Sequence, residues 1–130
     1  MTLLAYRQDS SIVPRIYYIT TAIAYTNGPP HIGHAYEKVL ADVLARWHRM
    51  KGEEVYFLTG VDQHGQKVQQ TAEKLGITPQ EHVNNITGQF LALWDRLGIS
   101  NDGWASTTDP RHKACVQKIL TDLKDKGLLY

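Results

Sequence analysis

Two histidines three positions apart, in His31-Ile32-Gly33-His34, follow a turn-rich stretch, Asn27-Gly28-Pro29-Pro30. At the start of a helix, residues at this spacing share a face, so both imidazoles can address one ligand. The helix start adds backbone N–H groups without intrahelical partners and a partial positive charge. Gly33, with no side chain, leaves room for a flat group such as an adenine to approach the backbone. This combination suits a polyphosphate, with imidazole N–H groups donating to oxygens as negative charge develops on them. From spacing alone, the pair also fits a chance surface arrangement or two metal ligands. No further His, Cys or acid stands at ligand spacing, however.

A second group is Thr59-Gly60-Val61-Asp62-Gln63-His64-Gly65. Asp62 is placed to hold the ammonium group of a small substrate, or equally to cap the helix that begins near Gln66. His64 reads as a ligand contact or, slightly better, as a turn residue. A third group, Ala22-Ile23-Ala24-Tyr25, leads toward the histidine pair. Its small residues leave space for a ligand, and Tyr25 could wall an apolar pocket, although an aromatic there is more often plain core.

The elements that must carry these residues follow from periodicity. Arg15 to Thr21 is rich in aromatic and β-branched residues and predicts a buried strand. From about Gly33 to Lys51 the spacing becomes helical, with Tyr36, Val39, Leu40, Val43, Leu44 and Trp47 as one apolar stripe expected to face the core. Asp42 and Arg46 flank it, and Gly52 is a plausible left-handed stop. Glu54 to Thr59 predicts a second strand, Gly60 to Gly65 a loop, and Gln66 to Leu75 a short helix. Thr78-Pro79-Gln80-Glu81 is a capping box with proline at the first helical position. The helix it opens carries Val83, Ile86, Phe90, Leu93, Trp94 and Leu97. Trp104 to Thr107 predicts a short third strand. Asp109-Pro110 opens a last helix expected to bury Val116, Ile119, Leu120 and Leu123, with Lys113, Lys118, Lys124 and Lys126 on a solvated side. Strands alternating with helices imply an α/β fold with a parallel sheet. Ligands of such sheets sit outside the carboxyl ends of the strands, which is where the loops at 22–33 and 60–65 fall.

Composition sets outer limits. The chain has 130 residues, 14 basic and 13 acidic side chains and a formal net charge of +1. That balance does not predict general affinity for nucleic acid or for anionic membranes. The single cysteine, Cys115, has no internal disulfide partner and no zinc-ligand spacing around it. No apolar run approaches the roughly 20 residues of a membrane helix. Residues 1–14 read as a lead-in without signal-peptide character, which makes the cytoplasm the default expectation. Residues 15–130 read as part of one domain whose natural chain continues past the apolar Leu128-Leu129-Tyr130.

The His31-Ile32-Gly33-His34 tetrapeptide resembles the HIGH signature of the class I aminoacyl-tRNA synthetases. Its surroundings are similar to the methionyl-tRNA synthetases of that class: Thr20 to Pro30 before it, Ala41 to Arg46 after it, and then Phe57 to Gly65 and Leu75 to Pro79. The resemblance covers residues 15 to 130 and implies the first half of a Rossmann-like nucleotide-binding catalytic domain. It implies that His31 and His34 bind ATP phosphates, that Gly33 lets the adenine lie near the helix, that Ala22, Ile23 and Tyr25 wall the methionine site, and that Asp62 holds the methionine ammonium. It implies ATP with Mg2+ as substrate, methionine and tRNA as partners (the latter mainly through regions absent here), and zinc only in an insertion that this sequence lacks. Many relatives have proline and tyrosine at the positions of Ala22 and Ala24, and glutamate at that of Gln63. The second class I signature, the second half of the fold and the anticodon-binding helices are not encoded, so the 130 residues alone are expected to be inactive in tRNA charging. Competing readings are a non-catalytic nucleotide-binding short paralogue, a class I synthetase for leucine, valine, isoleucine or cysteine, and a small nucleotidyl transferase with a similar histidine pair.

Overall fold

A computed structural model describes residues 15–129; the lead-in expected over 1–14 lies outside the described residues. The strands are β1 (Ile16–Thr20), β2 (Ala24–Tyr25), β3 (Glu54–Asp62) and β4 (Gly103–Ser106). The helices are α1 (Ile32–Met50), α2 (Gln66–Leu75), α3 (Pro79–Leu97) and α4 (Pro110–Asp125). All strand pairings are parallel. Thr20 and Gly103 both stand opposite Leu58, so β1 and β4 flank β3. Ala24 and Tyr25 pair with Val61 and Asp62, making β2 a resumption of the first strand after a break at 21–23.

The second strand runs further than the Glu54–Thr59 expected from its apolar run. Gly60, Val61 and Asp62 are strand, not loop. Tertiary pairing accounts for this: β4 hydrogen-bonds one edge of this stretch and β2 the other. A glycine is needed at position 60, because a Cβ there would lie 2.0 Å from the carbonyl oxygen of Ala105.

Alternation along β3 puts Phe57, Thr59 and Val61 on one face, and all three are buried. Helices α1 and α3 cover that face. Ala24, Val61, Ile86, Phe90 and Trp94 form one core cluster, and Ala41, Ala45 and Phe57 form another. The opposite face carries Ile16, Tyr18 and Tyr56, all exposed. The first strand is therefore not buried as expected: it has one covered side, with Tyr17 and Ile19 half-buried, and Ile16 is 74% exposed.

Two helices depart from the sequence expectation in the same way. The apolar stripe of α1 (Tyr36, Val39, Leu40, Val43, Leu44, Trp47) is exposed, and its buried residues are Lys38, Ala41, Asp42 and Ala45. In α4 no residue is buried, and Val116, Ile119 and Leu120 are exposed. Periodicity reports that a stripe is apolar, not which surface meets it. By contrast α3 buries Val83, Ile86, Phe90 and Trp94 as expected, with Leu93 packed at the margin and Leu97 exposed. Thr78 and Glu81 make the expected capping box.

Candidate active site

The histidine pair is built into the first turn of α1. His31 is the N-cap, with extended backbone, and its Nδ1 accepts from the Gly33 N–H at 3.1 Å. His34 reaches back, and its Nδ1 accepts from the His31 N–H at 3.2 Å. The result is a capping box made entirely of imidazoles, with ring centroids 3.8 Å apart. An Nδ1 that accepts a backbone N–H carries a lone pair, so the neutral ring holds its proton on Nε2. Both rings thus keep an Nε2–H free for a ligand oxygen.

This arrangement alters two expectations. The Gly33 N–H is not free at the helix start, because His31 occupies it. Glycine is favoured at 33 for a reason of its own: a Cβ there would lie 3.0 Å from the Cε1 of the folded-back His31 ring. The His34 and Phe90 rings meet in a T-shaped contact, 4.9 Å between centroids. Burial, followed by the nearby His31 and Lys38 charges, lowers the His34 pKa below its usual 6.5, against an opposing effect from Glu37. His34 is accordingly a neutral hydrogen-bond donor at pH 7.

Asp62 ends β3. Its Oδ1 accepts from the His64 N–H at 3.1 Å and from the Thr107 hydroxyl at 3.3 Å. It does not cap α2, whose N-cap is Gly65. The carboxylate is therefore steadied from one side and keeps Oδ2 for a ligand. His64 is exposed and acts through its backbone, as a turn residue. Thr26 donates its N–H and its hydroxyl to the Asp62 carbonyl, at 3.0 and 2.9 Å, fixing the loop that leads to His31.

Tyr25 is half-buried and stands in register with Asp62. Its hydroxyl sits over Gly65, where a Cβ would come within 2.2 Å and where φ is +138°, so only glycine fits. Ala22 and Ile23 are exposed at the break in the first strand. Tyr25 and Asp62 are thus brought together, and so are His31 and His34. Among the described residues no hydrogen bond joins one pair to the other; they share the rim at the carboxyl ends of the strands.

Sequence reasoning missed several contributors. Gln63 is buried, and its side chain binds the hydroxyls of Ser106, Thr108 and Thr87, tying the end of β3 to β4 and α3. Glu37 and Lys38 hold the backbone of Ala22. A hydrophilic run inside a helix gave no signal of either role. Among the described residues, no three His, Cys, Asp or Glu side chains gather as a metal site. No helix there is long and apolar enough to cross a membrane.

A histidine-capped helix start at the rim of a parallel sheet, beside Tyr25 and Asp62, is the setting in which the comparisons fall. The family described as tRNA synthetases class I (M) matches residues 17–130, and the chain belongs to it. The methionine–tRNA ligase of Streptomyces coelicolor is 49% identical over 117 residues, 89% of this chain and 22% of that protein. Methionine–tRNA ligase 1 of Bacillus cereus is 50% identical over 114 residues, 88% of this chain and 17% of that protein. Among solved structures, Mycobacterium tuberculosis methionyl-tRNA synthetase in complex with methionyl-adenylate superposes with a TM-score of 0.84 at 38% identity, covering 87% of this chain and 22% of that one. A LeuRS–tRNA–LeuAMS complex from Agrobacterium radiobacter K84 also gives 0.84, at 28% identity, over 94% of this chain and 16% of that one. The fold is therefore the Rossmann-like catalytic fold of class I synthetases, and the chain spans about a fifth of the length of the curated relatives it matches.

Proposed function

We propose that the polypeptide carrying this segment is a methionine–tRNA ligase, which activates methionine with ATP and passes the methionyl group to tRNA. The observation that carries this reading is the imidazole capping box, which presents two Nε2–H donors side by side at the positive end of α1. In the reaction, the methionine carboxylate attacks the ATP α-phosphate and pyrophosphate leaves. His31 and His34 donate to phosphate oxygens as charge grows there, an interaction worth most in the transition state. Oδ2 of Asp62 accepts from the methionine ammonium, and Ala22, Ile23 and Tyr25 wall the side chain. Gly33 lies where the adenine approaches. The catalysis lies in positioning and charge stabilisation, without covalent participation by the protein. ATP enters with Mg2+, tRNA docks mainly through regions outside this segment, and the cytoplasm is the proposed location. The methionine-type relatives at about half identity support the amino-acid assignment.

The test is methionine-dependent exchange of pyrophosphate into ATP by the full-length polypeptide. His34→Ala is expected to lower kcat by about one to three orders of magnitude, the scale of a lost transition-state donor. Exchange driven by leucine, valine, isoleucine or cysteine in place of methionine would overturn the substrate assignment. Exchange untouched by the substitution would remove His34 from the mechanism.

A further inference from the structure

The break in the first strand is the least explained feature of the site. Thr21 still donates its N–H to the Leu58 carbonyl, at 3.3 Å, and the next regular pairing begins at Ala24. Between them the Ala22 peptide groups turn away from β3, and backbone polar groups that leave a sheet must find other partners. The Thr21 hydroxyl donates to the Ala22 carbonyl at 3.0 Å, and the charged partners come from neighbouring side chains of α1. Oε1 of Glu37 accepts from the Ala22 N–H at 2.8 Å, and Nζ of Lys38 donates to the Ala22 carbonyl at 2.7 Å. The two side chains also pair with each other at 2.6 Å. Lys38 is fully buried, with Nζ 5.7 Å from the Trp94 ring centroid.

Burying an ammonium is costly, and an apolar side chain of similar volume would pack the same space with less penalty. A continuous strand, for its part, would satisfy Ala22 with no side chain at all. The arrangement makes physical sense if the break itself is needed. Its effect is to turn Ala22 and Ile23 out at the rim and to fasten them to the helix that begins with His31 and His34.

We propose that Glu37 and Lys38 are a positioning pair for the amino-acid wall: they clamp both polar groups of the Ala22 peptide, hold the strand open at 21–23, and fix that wall relative to the histidine-bearing turn of α1. The proposal rests on the methionine-activating reading of the site and adds residues that touch neither substrate. A consequence is that the pair acts on the amino-acid side of the reaction. Loss of the clamp lets the Ala22–Ile23 segment move, while the capping box of His31 and His34 is closed by its own hydrogen bonds and stays formed.

The experiment has two arms. In this chain, hydrogen exchange at the Ala22 amide is measured for the wild type, Lys38→Met, Lys38→Arg and Glu37→Gln. The Ala22 amide is expected to be protected in the wild type, exchanging at least about tenfold faster in Lys38→Met and partly protected again in Lys38→Arg. In the full-length polypeptide, Lys38→Met is expected to raise the methionine KM about tenfold, the equivalent of one charge-assisted hydrogen bond, with the ATP KM within about twofold. Lys38→Arg should recover part of that loss. Glu37→Gln keeps an acceptor for the Ala22 N–H but loses the charge facing Lys38, and is expected to fall between. Should Lys38→Met fail to fold, Glu37→Gln and Lys38→Arg carry the same KM comparison. Equal changes in both KM values, no change in either, or an Ala22 amide indifferent to the substitutions would overturn the clamp. If the wild type shows no methionine-dependent exchange, the functional reading fails while the amide arm still decides the clamp.

Discussion

Helices α1 and α3 are each 19 residues long, each opens with a capping box, and each carries an apolar stripe at helical spacing. Their stripes meet opposite fates. In α3, Trp94 is 3% exposed; in α1, Trp47 is 52% exposed. The face that α1 turns inward combines two alanines, Ala41 and Ala45, with two charged residues, Lys38 and Asp42. The alanines permit close approach to Phe57. The charged residues are each spent on a backbone segment. Lys38 holds Ala22, and Asp42 holds Ser100, accepting from its N–H at 2.7 Å and its hydroxyl at 2.5 Å. Helix α3 is thus a core helix in the ordinary sense. Helix α1 is a scaffold whose inner face places loops, at its amino end for the site and further along for the entry into β4.

The largest expected effect lies on the α3 side. Phe90→Ala removes a fully buried ring that packs on Trp94 and His34, and is expected to cost about 3–5 kcal/mol in chemical denaturation. A loss below about 1 kcal/mol would place Phe90 among surface substitutions and break the contrast.

Asp42→Ala is expected to cost about 1–3 kcal/mol by leaving the Ser100 N–H and hydroxyl and the Arg46 Nε–H without their acceptor. Here pH sharpens the comparison. Burial pushes the Asp42 carboxyl up, but the Ser100 hydroxyl, Arg46 and the Ser100 N–H outweigh it and hold the pKa below its ordinary 3.8. A carboxylate lowered in the folded state contributes stability that is fully present above 3.8 and is lost as pH falls through the lower folded value. Denaturation midpoints of wild type and Asp42→Ala should therefore differ at pH 7 and converge on strong acidification. A difference that persists unchanged would mean that Asp42 works through packing.

The smallest effect is expected on the outer stripe of α1. Leu40→Ser and Val43→Ser should each change the stability of this chain by no more than about 0.5 kcal/mol, since both side chains already face solvent. A cost approaching that of Phe90→Ala would show that the stripe is covered in solution.

Legibility differed by the kind of signal. Caps were readable to the residue: Thr78 with Glu81 and Asp109 with Pro110 act as their types demand, because a cap is satisfied within one turn of chain. Turn glycines at 52, 76 and 98 adopt positive φ for the same local reason. The histidine pair was legible as a cluster, and the three principal strands were legible as an α/β alternation. The extension of β3 through Asp62 was not, since partners brought from elsewhere in the chain decide it. Neither were the buried roles of Gln63 and Lys38 or the half-exposed hold of Glu37 on Ala22, since polar side chains carry no periodic mark when they are satisfied by distant groups.

The sequence by itself determined the local grammar: where helices start and stop, that three principal strands alternate with them, and that His31, Gly33, His34, Tyr25 and Asp62 gather near strand ends. Tertiary structure decided which helix face turns inward, that each histidine caps the helix through Nδ1 and leaves Nε2–H outward, and that Asp62 is steadied by Thr107 in place of capping α2. The physical reason is range. Capping and turn preferences are settled by hydrogen bonds within a few residues, whereas burial and the partners of a carboxylate or an ammonium depend on groups tens of residues away.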